Sequence, residues 1–262
     1  MFKQYKPKFN SPLAVILNAT YALIIKSTIS RFNTMSLGYA WLFIEPLIQL
    51  SIILLIFGVI FGRFDNGIFT IESLLFTILN WFMIRDIITF NLNALRANKN
   101  YLVYPTLKPI LFYLAGFISI IITSFIVQFC FFLVSVAFLD EFIFGNAWKL
   151  IFIFVLSSIF GLSISVILAS VSINKPGLKR IFALSLRFLY IGSLVIFPLD
   201  IIPIDFTGYV LLNPLAQLME LTREIIFPIR DYDISLSYII SWMLFIFILS
   251  VFIYQGFGRK ID

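Results

Sequence analysis

Charged residues inside otherwise apolar stretches are the first candidates for chemistry in this sequence. Glu45-Pro46 lies in the apolar stretch 39–61, about two helical turns, or roughly 10 Å, from its start. A carboxylate there must pair with a cation, face a cavity or be protonated, and Pro46 favours a kink. Lys26 and Arg31, which precede the stretch, are candidate partners of Glu45. The pair fits a polar site on a transport path and a purely structural kink equally well.

Arg85-Asp86 is a pair of charged residues inside a second apolar stretch. Adjacent helix positions point about 100° apart, so these two side chains need not pair with each other. They could line a proton-linked pathway. Alternatively, the helix ends at Phe90 near the cytoplasmic interface and both charges reach water. We favour this second interpretation because Asp86 then lies only about one turn from the helix end.

Several kinds of catalytic site are excluded by composition. The sequence has no histidine, which excludes imidazole acid–base catalysis and histidine-ligated metals. Its one cysteine, Cys130, excludes an intrachain disulfide and a thiolate metal cluster. No Gly-x-x-x-x-Gly-Lys-[Ser/Thr] loop occurs, so the chain has no P-loop for ATP. We therefore expect no catalytic residue, no metal and no cofactor bound by this chain.

The elements that position the charged residues follow from the composition. Of the 262 residues, 61% are hydrophobic and 12% are charged, with a mean hydropathy of +1.04. A soluble domain carries about 25% charged residues, so this chain must lie in a bilayer. We predict a single all-α integral membrane domain, residues 1–262, with six transmembrane helices. The six stretches that approach the necessary length of about 20 residues are 39–61, 73–90, 109–139, 148–172, 181–199 and 236–256.

Basic residues that flank these stretches predict the orientation of the chain. Lys and Arg concentrate on the side that holds both termini and the loops near 91–108 and 173–180. Most Asp and Glu residues fall on the other side. By the positive-inside rule, both termini are cytoplasmic. The net charge of +6 is therefore an orientation signal, and we expect no nucleic-acid partner.

Residues 10–32, which precede the first span, are predicted to form an amphipathic helix on the cytoplasmic membrane surface. Ser11-Pro12 supplies a capping residue followed by proline at the first helical position. Polar and basic residues occupy one part of the helix surface, as a membrane-surface helix requires. Apolar residues recur at helical spacing at Leu13, Ile16, Leu17, Tyr21 and Ile24.

Two further segments are neither spans nor simple turns. Residues 200–235 keep apolar runs but are cut by Pro203, Pro214 and Pro228. This pattern predicts short re-entrant helices in the outer leaflet that protein must cover, because irregular backbone cannot face lipid. A folded outer cap is the alternative. The segment 91–108 could form a short cytoplasmic helix that contacts a partner protein, or a plain solvated connection.

Two ordered motifs carry a resemblance to a known family. The first motif is Arg31, then Leu37-Gly38-Tyr39-Ala40-Trp41, then Glu45-Pro46. The second motif is Asn213-Pro214-Leu215, followed by Glu220 and Arg223, before the last span. Both resemble the corresponding motifs of ABC-2-type exporter membrane subunits, most closely the capsular-polysaccharide (KpsM-like) branch. The spacing of the six predicted spans fits this family over essentially the whole chain.

This resemblance implies a homodimer whose two copies form a conduit, with a separate nucleotide-binding ATPase subunit that binds ATP and Mg²⁺. It also implies a glycolipid or polysaccharide substrate, contact with membrane lipids, and periplasmic and outer-membrane export partners. The implied substrate entrance and gate comprise Lys26, Arg31, Gly38, Trp41, Glu45 and Pro46. The implied ATPase-coupling segment includes Asn91, Leu95, Arg96, Lys99 and Tyr101. The outer re-entrant segment includes Asn213, Pro214, Glu220 and Arg223.

We therefore expect a permease subunit of an ATP-driven exporter that moves capsular polysaccharide across the bacterial inner membrane, and not an enzyme. Our hypothesis is that Lys26 and Arg31 meet the acidic or phosphate-bearing end of a glycolipid at the entrance. O-antigen and teichoic-acid exporters share the opening motif and are alternatives. An ion-coupled secondary transporter would need embedded coupling charges, and a transferase acting on lipid-linked sugars would need a carboxylate pair beside a cleft.

Overall fold

The computed structural model of the chain describes residues 12–32, 37–56, 70–103, 107–138, 145–173, 175–226 and 234–257. These residues form nine α-helices, and no β-strand occurs among them. The helices are α1 (Pro12–Phe32), α2 (Trp41–Leu54), α3 (Ile71–Ala97), α4 (Pro109–Phe138), α5 (Ala147–Val171), α6 (Pro176–Gly192), α7 (Ile204–Leu211), α8 (Pro214–Ile226) and α9 (Leu236–Phe257). Short 3₁₀ turns occur at Gly38–Ala40, Lys99–Tyr101 and Leu199–Ile201.

Parts of several predicted features lie outside the described residues. They are the two termini that we expect in the cytoplasm (1–11 and 258–262), the last residues of the first predicted span (57–61), part of the segment 91–108 (104–106) and the part of the outer segment around Pro228 (227–233). The predicted topology is therefore tested by the described helices only.

Four of the predicted spans coincide with helices that are long and apolar enough to cross a membrane. These helices are α3, α4, α5 and α9. Their presence confirms an all-α integral membrane protein. The first and fifth predicted spans correspond to shorter helices, because α2 has 14 residues and α6 has 17. The complete six-span topology stays a prediction.

Helix α3 is longer than predicted, and the predicted end at Phe90 is wrong. The helix begins at a capping box, in which Thr70 and Ser73 satisfy each other's backbone N–H groups. It continues to Ala97, where Asn98 Nδ2 donates to the carbonyl of Ala94 at 2.8 Å. Residues 91–97 are polar enough to lower the hydropathy, yet they contain no glycine or proline that would end a helix. The helix therefore extends beyond the apolar stretch that ends at Phe90.

Helix α3 is also the centre of the bundle, since α2, α4, α5, α6 and α8 all pack against it. Its closest helical neighbour is α5, which approaches through a small residue, Gly161. A Cβ atom added to Gly161 would lie 3.3 Å from Ile87 Cδ1 and 3.4 Å from Ile84 Cα. Small residues allow helix backbones to approach closely, which increases the van der Waals contact between them. This contact matters in a membrane because the hydrophobic effect does not favour helix association in lipid.

Helix α1 covers Pro12–Phe32, and its second half packs along α4. The predicted cap Ser11 lies outside the described residues. The hydroxyls of Thr28 and Ser119 are 2.7 Å apart, and Arg31 Nη1 donates to Thr123 Oγ1 at 3.2 Å. Polar groups therefore attach the end of α1 to the bundle. Large apolar side chains are exposed elsewhere along the helix at Ile16, Leu17, Tyr21, Ile25 and Ile29. An exposed apolar surface of this kind agrees with a helix in contact with lipid.

The segment before α9 folds into short helices, as its prolines predict. Pro203 immediately precedes α7, and Pro214 is the first residue of α8. Helix α8 is largely buried against α3, α5 and α9, whereas α7 is mostly exposed. Whether these helices re-enter the membrane stays a prediction.

We expect Gly161→Leu to destabilise the protein, because the larger side chain would collide with the backbone of α3. Overpacking of this kind costs about 1–3 kcal/mol. Gly256→Leu in α9 is the matched control, since no atom lies within 4 Å of a Cβ added there. Thermal unfolding in detergent measures both variants. Equal melting temperatures for the two would contradict the close α3–α5 contact.

Candidate functional site

Residues from α1, α2, α3 and α4 line an open cavity of about 510 Å³. Four of the predicted entrance residues line it: Lys26, Arg31, Trp41 and Glu45. Arg85 and Asp86 line it as well. The structure therefore brings Glu45 and the pair Arg85-Asp86, which are forty residues apart in the sequence, to one site.

The charged groups of the cavity form a connected network. Arg85 Nη1 donates to Glu45 Oε1 at 2.7 Å, which joins α3 to α2. Arg85 Nε and Nη2 donate to Asp86 Oδ1 at 3.0 and 2.8 Å. The other oxygen of Asp86 accepts from Arg31 Nη2 of α1. Two arginines and two carboxylates therefore neutralise one another, and they tie three helices together.

One prediction about these residues is wrong. The carboxylate of Glu45 pairs with Arg85, and among the described residues neither Lys26 nor Arg31 pairs with it. Arg85 and Asp86 also pair with each other, which the sequence left open; their Cα–Cβ bonds diverge, but the long arginine side chain curves back to its neighbour.

The network is also more buried than we expected for charges at a helix end. Asp86 lies eleven residues before the end of α3, and its side chain is 19% exposed. The side chain of Arg31 is 12% exposed. The protein tolerates this burial only because each charge has a partner, since an unpaired buried charge is destabilising. This burial does not fit the interpretation that both charges reach water at the helix end, and a proton-linked pathway stays a prediction.

Lys26 stands beside this network and has neutral partners. Its Nζ donates to Asn98 Oδ1 at 2.6 Å and lies 3.8 Å from the centroid of the Tyr101 ring. Among the described residues it forms no salt bridge. The amide and the aromatic ring stabilise the ammonium group without neutralising it. Its positive charge remains available to an anionic ligand in the cavity.

The other two predicted entrance residues shape the backbone beside the cavity. Gly38 opens the 3₁₀ turn before α2 with a φ of +53°, a conformation that glycine adopts without a steric penalty. Pro46 is buried inside α2, where it cannot donate the hydrogen bond to the carbonyl of Leu42. Both residues help to place Trp41 and Glu45, which lie between them in the sequence, at the wall of the cavity.

The predicted coupling residues divide into a buried and an exposed group. Asn91 is buried in the bundle, and its Nδ2 donates to Ser165 Oγ of α5 at 2.8 Å. This placement removes Asn91 from the surface where the resemblance puts a coupling segment. Leu95 is half-buried. Arg96, Lys99 and Tyr101 are exposed at the end of α3 and in the turn that follows.

The exposed end of α3 adjoins the first turn of α6. Lys179, which precedes the fifth predicted span, lies near Arg96. Partial burial, together with the charge of Arg96, lowers the pKa of the Lys179 ammonium group. Cations from two helices therefore share this end of the molecule, and their repulsion would be relieved by an acidic partner surface.

The outer predicted residues form a separate, tightly bonded site that connects α6 and α8. Asn213 Oδ1 accepts from the backbone N–H of Leu215 at 3.0 Å and so caps α8. Its Nδ2 donates to the carbonyl of Gly192 and to Ser193 Oγ, both at 3.1 Å. Pro214 then occupies the first helical position, where its missing N–H has no cost.

A buried ion pair reinforces this connection. Arg223 Nη1 donates to Glu220 Oε2 at 2.8 Å, and both side chains are 1% exposed. Arg223 Nη2 donates to the carbonyls of Leu194 and Val195. Leu194 has a φ of +59°, which is strained for a residue with a branched side chain. The guanidinium group holds this turn in place.

Comparisons with known proteins agree with the motifs. No protein-family model matches the sequence. The chain is 28% identical over 246 residues to the polysialic acid transport protein KpsM of Escherichia coli, with 89% of this chain and 91% of that protein covered. The predicted resemblance is confirmed. A second KpsM sequence from Escherichia coli is 27% identical with the same coverage. The chain is therefore similar to KpsM over almost the entire length of both proteins.

We expect the Glu45–Arg85 pair to behave as one unit in a double-mutant cycle. Glu45→Gln and Arg85→Gln each leave a partly buried charge without its partner, since the two side chains are 32% and 29% exposed. We expect each loss to cost roughly 1–3 kcal/mol. The double variant should be more stable than the sum of the two losses predicts. Thermal unfolding in detergent measures the cycle.

Glu72→Gln in the first turn of α3 is the control for loss of a carboxylate, since Glu72 forms no salt bridge among the described residues. Strictly additive losses at Glu45 and Arg85 would show that the two side chains do not interact.

Proposed function

We propose that this chain is the membrane-spanning permease subunit of an ATP-driven exporter that moves lipid-linked capsular polysaccharide across the bacterial inner membrane. The similarity to KpsM over 89% of the chain carries this proposal. The apolar helices α3, α4, α5 and α9 supply the membrane-spanning structure that such a subunit needs. The same similarity favours a capsular glycan over O-antigen or teichoic acid as the substrate.

A separate subunit supplies the ATPase activity in this proposal. The sequence contains no P-loop of its own, so ATP and Mg²⁺ bind to the partner. The exposed residues Arg96, Lys99 and Tyr101 form the docking surface for that partner. Two copies of the chain form the conduit, with both termini in the cytoplasm. Periplasmic and outer-membrane proteins continue the export path.

The cavity at the charged network is the substrate entrance in this proposal. Lys26 supports this role because it carries a charge that no carboxylate among the described residues neutralises. Arg31 contributes differently, since it is paired with Asp86 and holds α1 against α3. Lys26 also contacts Asn98 and Tyr101 at the end of α3. Movement of the docking surface would therefore change the position of the lysine in the entrance.

Purification of the full chain from its native membrane in mild detergent tests the proposed function. We expect a P-loop ATPase to copurify in a two-to-two ratio, because the permease cannot hydrolyse ATP alone. Identification and quantification of the copurified proteins by mass spectrometry measure this. A chain that stays alone under several gentle conditions would contradict the proposal and would favour a secondary transporter.

We expect Lys26→Glu to abolish export and Lys26→Arg to retain most of it, because the entrance needs a positive charge for an acidic substrate. Surface polysaccharide, normalised to the amount of assembled permease–ATPase complex, measures the effect. Lys149→Glu in the first turn of α5 is the matched charge reversal far from the cavity, and it should export normally. Normal export by Lys26→Glu would exclude an electrostatic role for this residue.

A further inference from the structure

Helix α6 carries an arginine on a surface that the rest of the described chain leaves open. Arg187 is exposed, and it shares this surface with exposed apolar side chains. The apolar neighbours are Ile181, Leu184, Phe188 and Ile191. On the opposite side of the helix, Leu186 is buried. The exposed surface of α6 therefore combines a guanidinium group with an apolar surround.

Two observations define the position of α6 along α3. Lys179, near the start of α6, is close enough to Arg96 at the end of α3 for the arginine charge to lower the pKa of the lysine. Tyr190, near the end of α6, packs on Trp81 with ring centroids 5.7 Å apart. The two helices are therefore antiparallel.

Interpolation between these two points gives the position of Arg187 along the axis of α3, which we call its level. This residue lies eight positions after Lys179 and three before Tyr190, which corresponds to the level of Arg85 on α3. The exposed arginine is thus level with the charged network of the entrance. Tyr190 strengthens this alignment, since its hydroxyl accepts from Gln49 Nε2 of α2 at 2.6 Å.

An arginine at this level is costly if it faces lipid. Insertion of a charged side chain near the centre of a membrane helix costs about 2.5–3.5 kcal/mol. Among the described residues, Arg187 has no salt bridge and no hydrogen bond that would offset this cost. We therefore expect the guanidinium group of Arg187 to reach water, a lipid headgroup, a second protein copy or a polar ligand.

The described residues of a second copy of the chain offer no unpaired anion at this level. Among the described residues, the carboxylates at the level of Arg187 are Glu45 and Asp86, and both are already paired with arginines. Glu72 lies at the far end of α3. The remaining described carboxylates belong to the outer segment: Asp200, Asp205, Glu220 and Glu224. The described part of a second copy therefore supplies no unpaired carboxylate at the level of Arg187.

We propose that Arg187 lines the aqueous conduit and binds the carboxylate or phosphate groups of the exported glycan as they pass the level of the entrance network. This inference rests on the proposed function and names a further substrate-contacting residue for it. A guanidinium group suits the role because it stays charged and donates two parallel hydrogen bonds to a carboxylate or phosphate. The apolar side chains around it limit its hydration and strengthen each contact.

Cysteine labelling tests the aqueous location without relying on export. The single native cysteine is removed by Cys130→Ser, and Arg187→Cys is introduced in that background. We expect a charged, membrane-impermeant methanethiosulfonate to label the new thiol rapidly in inverted membrane vesicles. Phe245→Cys, on the exposed surface of the uncharged helix α9, is the lipid-facing control and should label slowly. Equally slow labelling at both positions would place Arg187 against lipid or protein and overturn the proposal.

Protection by substrate tests the ligand. Vesicles are prepared from cells that synthesise the glycan and from cells that do not. We expect several-fold slower labelling of the Arg187→Cys thiol when the glycan is present. Equal rates in the two preparations would leave the residue in water but remove the glycan as its ligand. A disulfide-linked dimer of the Arg187→Cys variant that excludes the reagent would instead assign this surface to a second copy.

Export by charge variants completes the test. Arg187→Lys should retain most export, Arg187→Gln should reduce it several-fold and Arg187→Glu should abolish it, with the ATPase still copurifying. Arg180→Gln, in the first turns of the same helix, is the matched control and should export normally. Normal export by Arg187→Glu overturns the inference alone. Unchanged capsule production after deletion of the whole chain overturns the proposed function, while the labelling result stands independently.

Discussion

Four charges in an apolar bundle impose the main constraint on this structure. Arg31, Glu45, Arg85 and Asp86 can lie inside the protein only together, because any one of them alone would be an unpaired buried charge. Their pairing fixes α1, α2 and α3 relative to one another. It also creates the polar wall of a cavity in a chain that is otherwise dominated by aliphatic and aromatic side chains.

The long apolar helices could be predicted from the sequence because hydropathy is a local property. The predicted stretches 109–139, 148–172 and 236–256 agree with α4, α5 and α9 to within one or two residues at each end. The end of α3 could not be predicted in this way. Hydropathy marks where a helix leaves an apolar environment, whereas the helix itself continues until the backbone hydrogen bonds end at Ala97.

The candidate site was predictable only in part, since pairing is not local. The sequence identifies Glu45, Arg85 and Asp86 as unusual residues in apolar surroundings. It does not show that Arg85 pairs with Glu45, which lies forty residues earlier in the chain. Nor does it show that Arg31 pairs with Asp86. The contact of Lys26 with Asn98 and Tyr101 is equally invisible in the sequence. The role of the buried ion pair of Glu220 and Arg223 could not be predicted either, because it depends on the distant carbonyls of Leu194 and Val195.

The uninterrupted course of α3 has a mechanical consequence. The helix contains 27 residues and no glycine or proline, so it is a stiff rod about 40 Å long. One end adjoins the exposed turn Lys99–Tyr101, the middle carries Arg85 and Asp86, and the other half packs against α8. A helix without a hinge does not bend when a force acts on one end. Force applied at the Lys99–Tyr101 turn would therefore displace the charged network and the outer helices together.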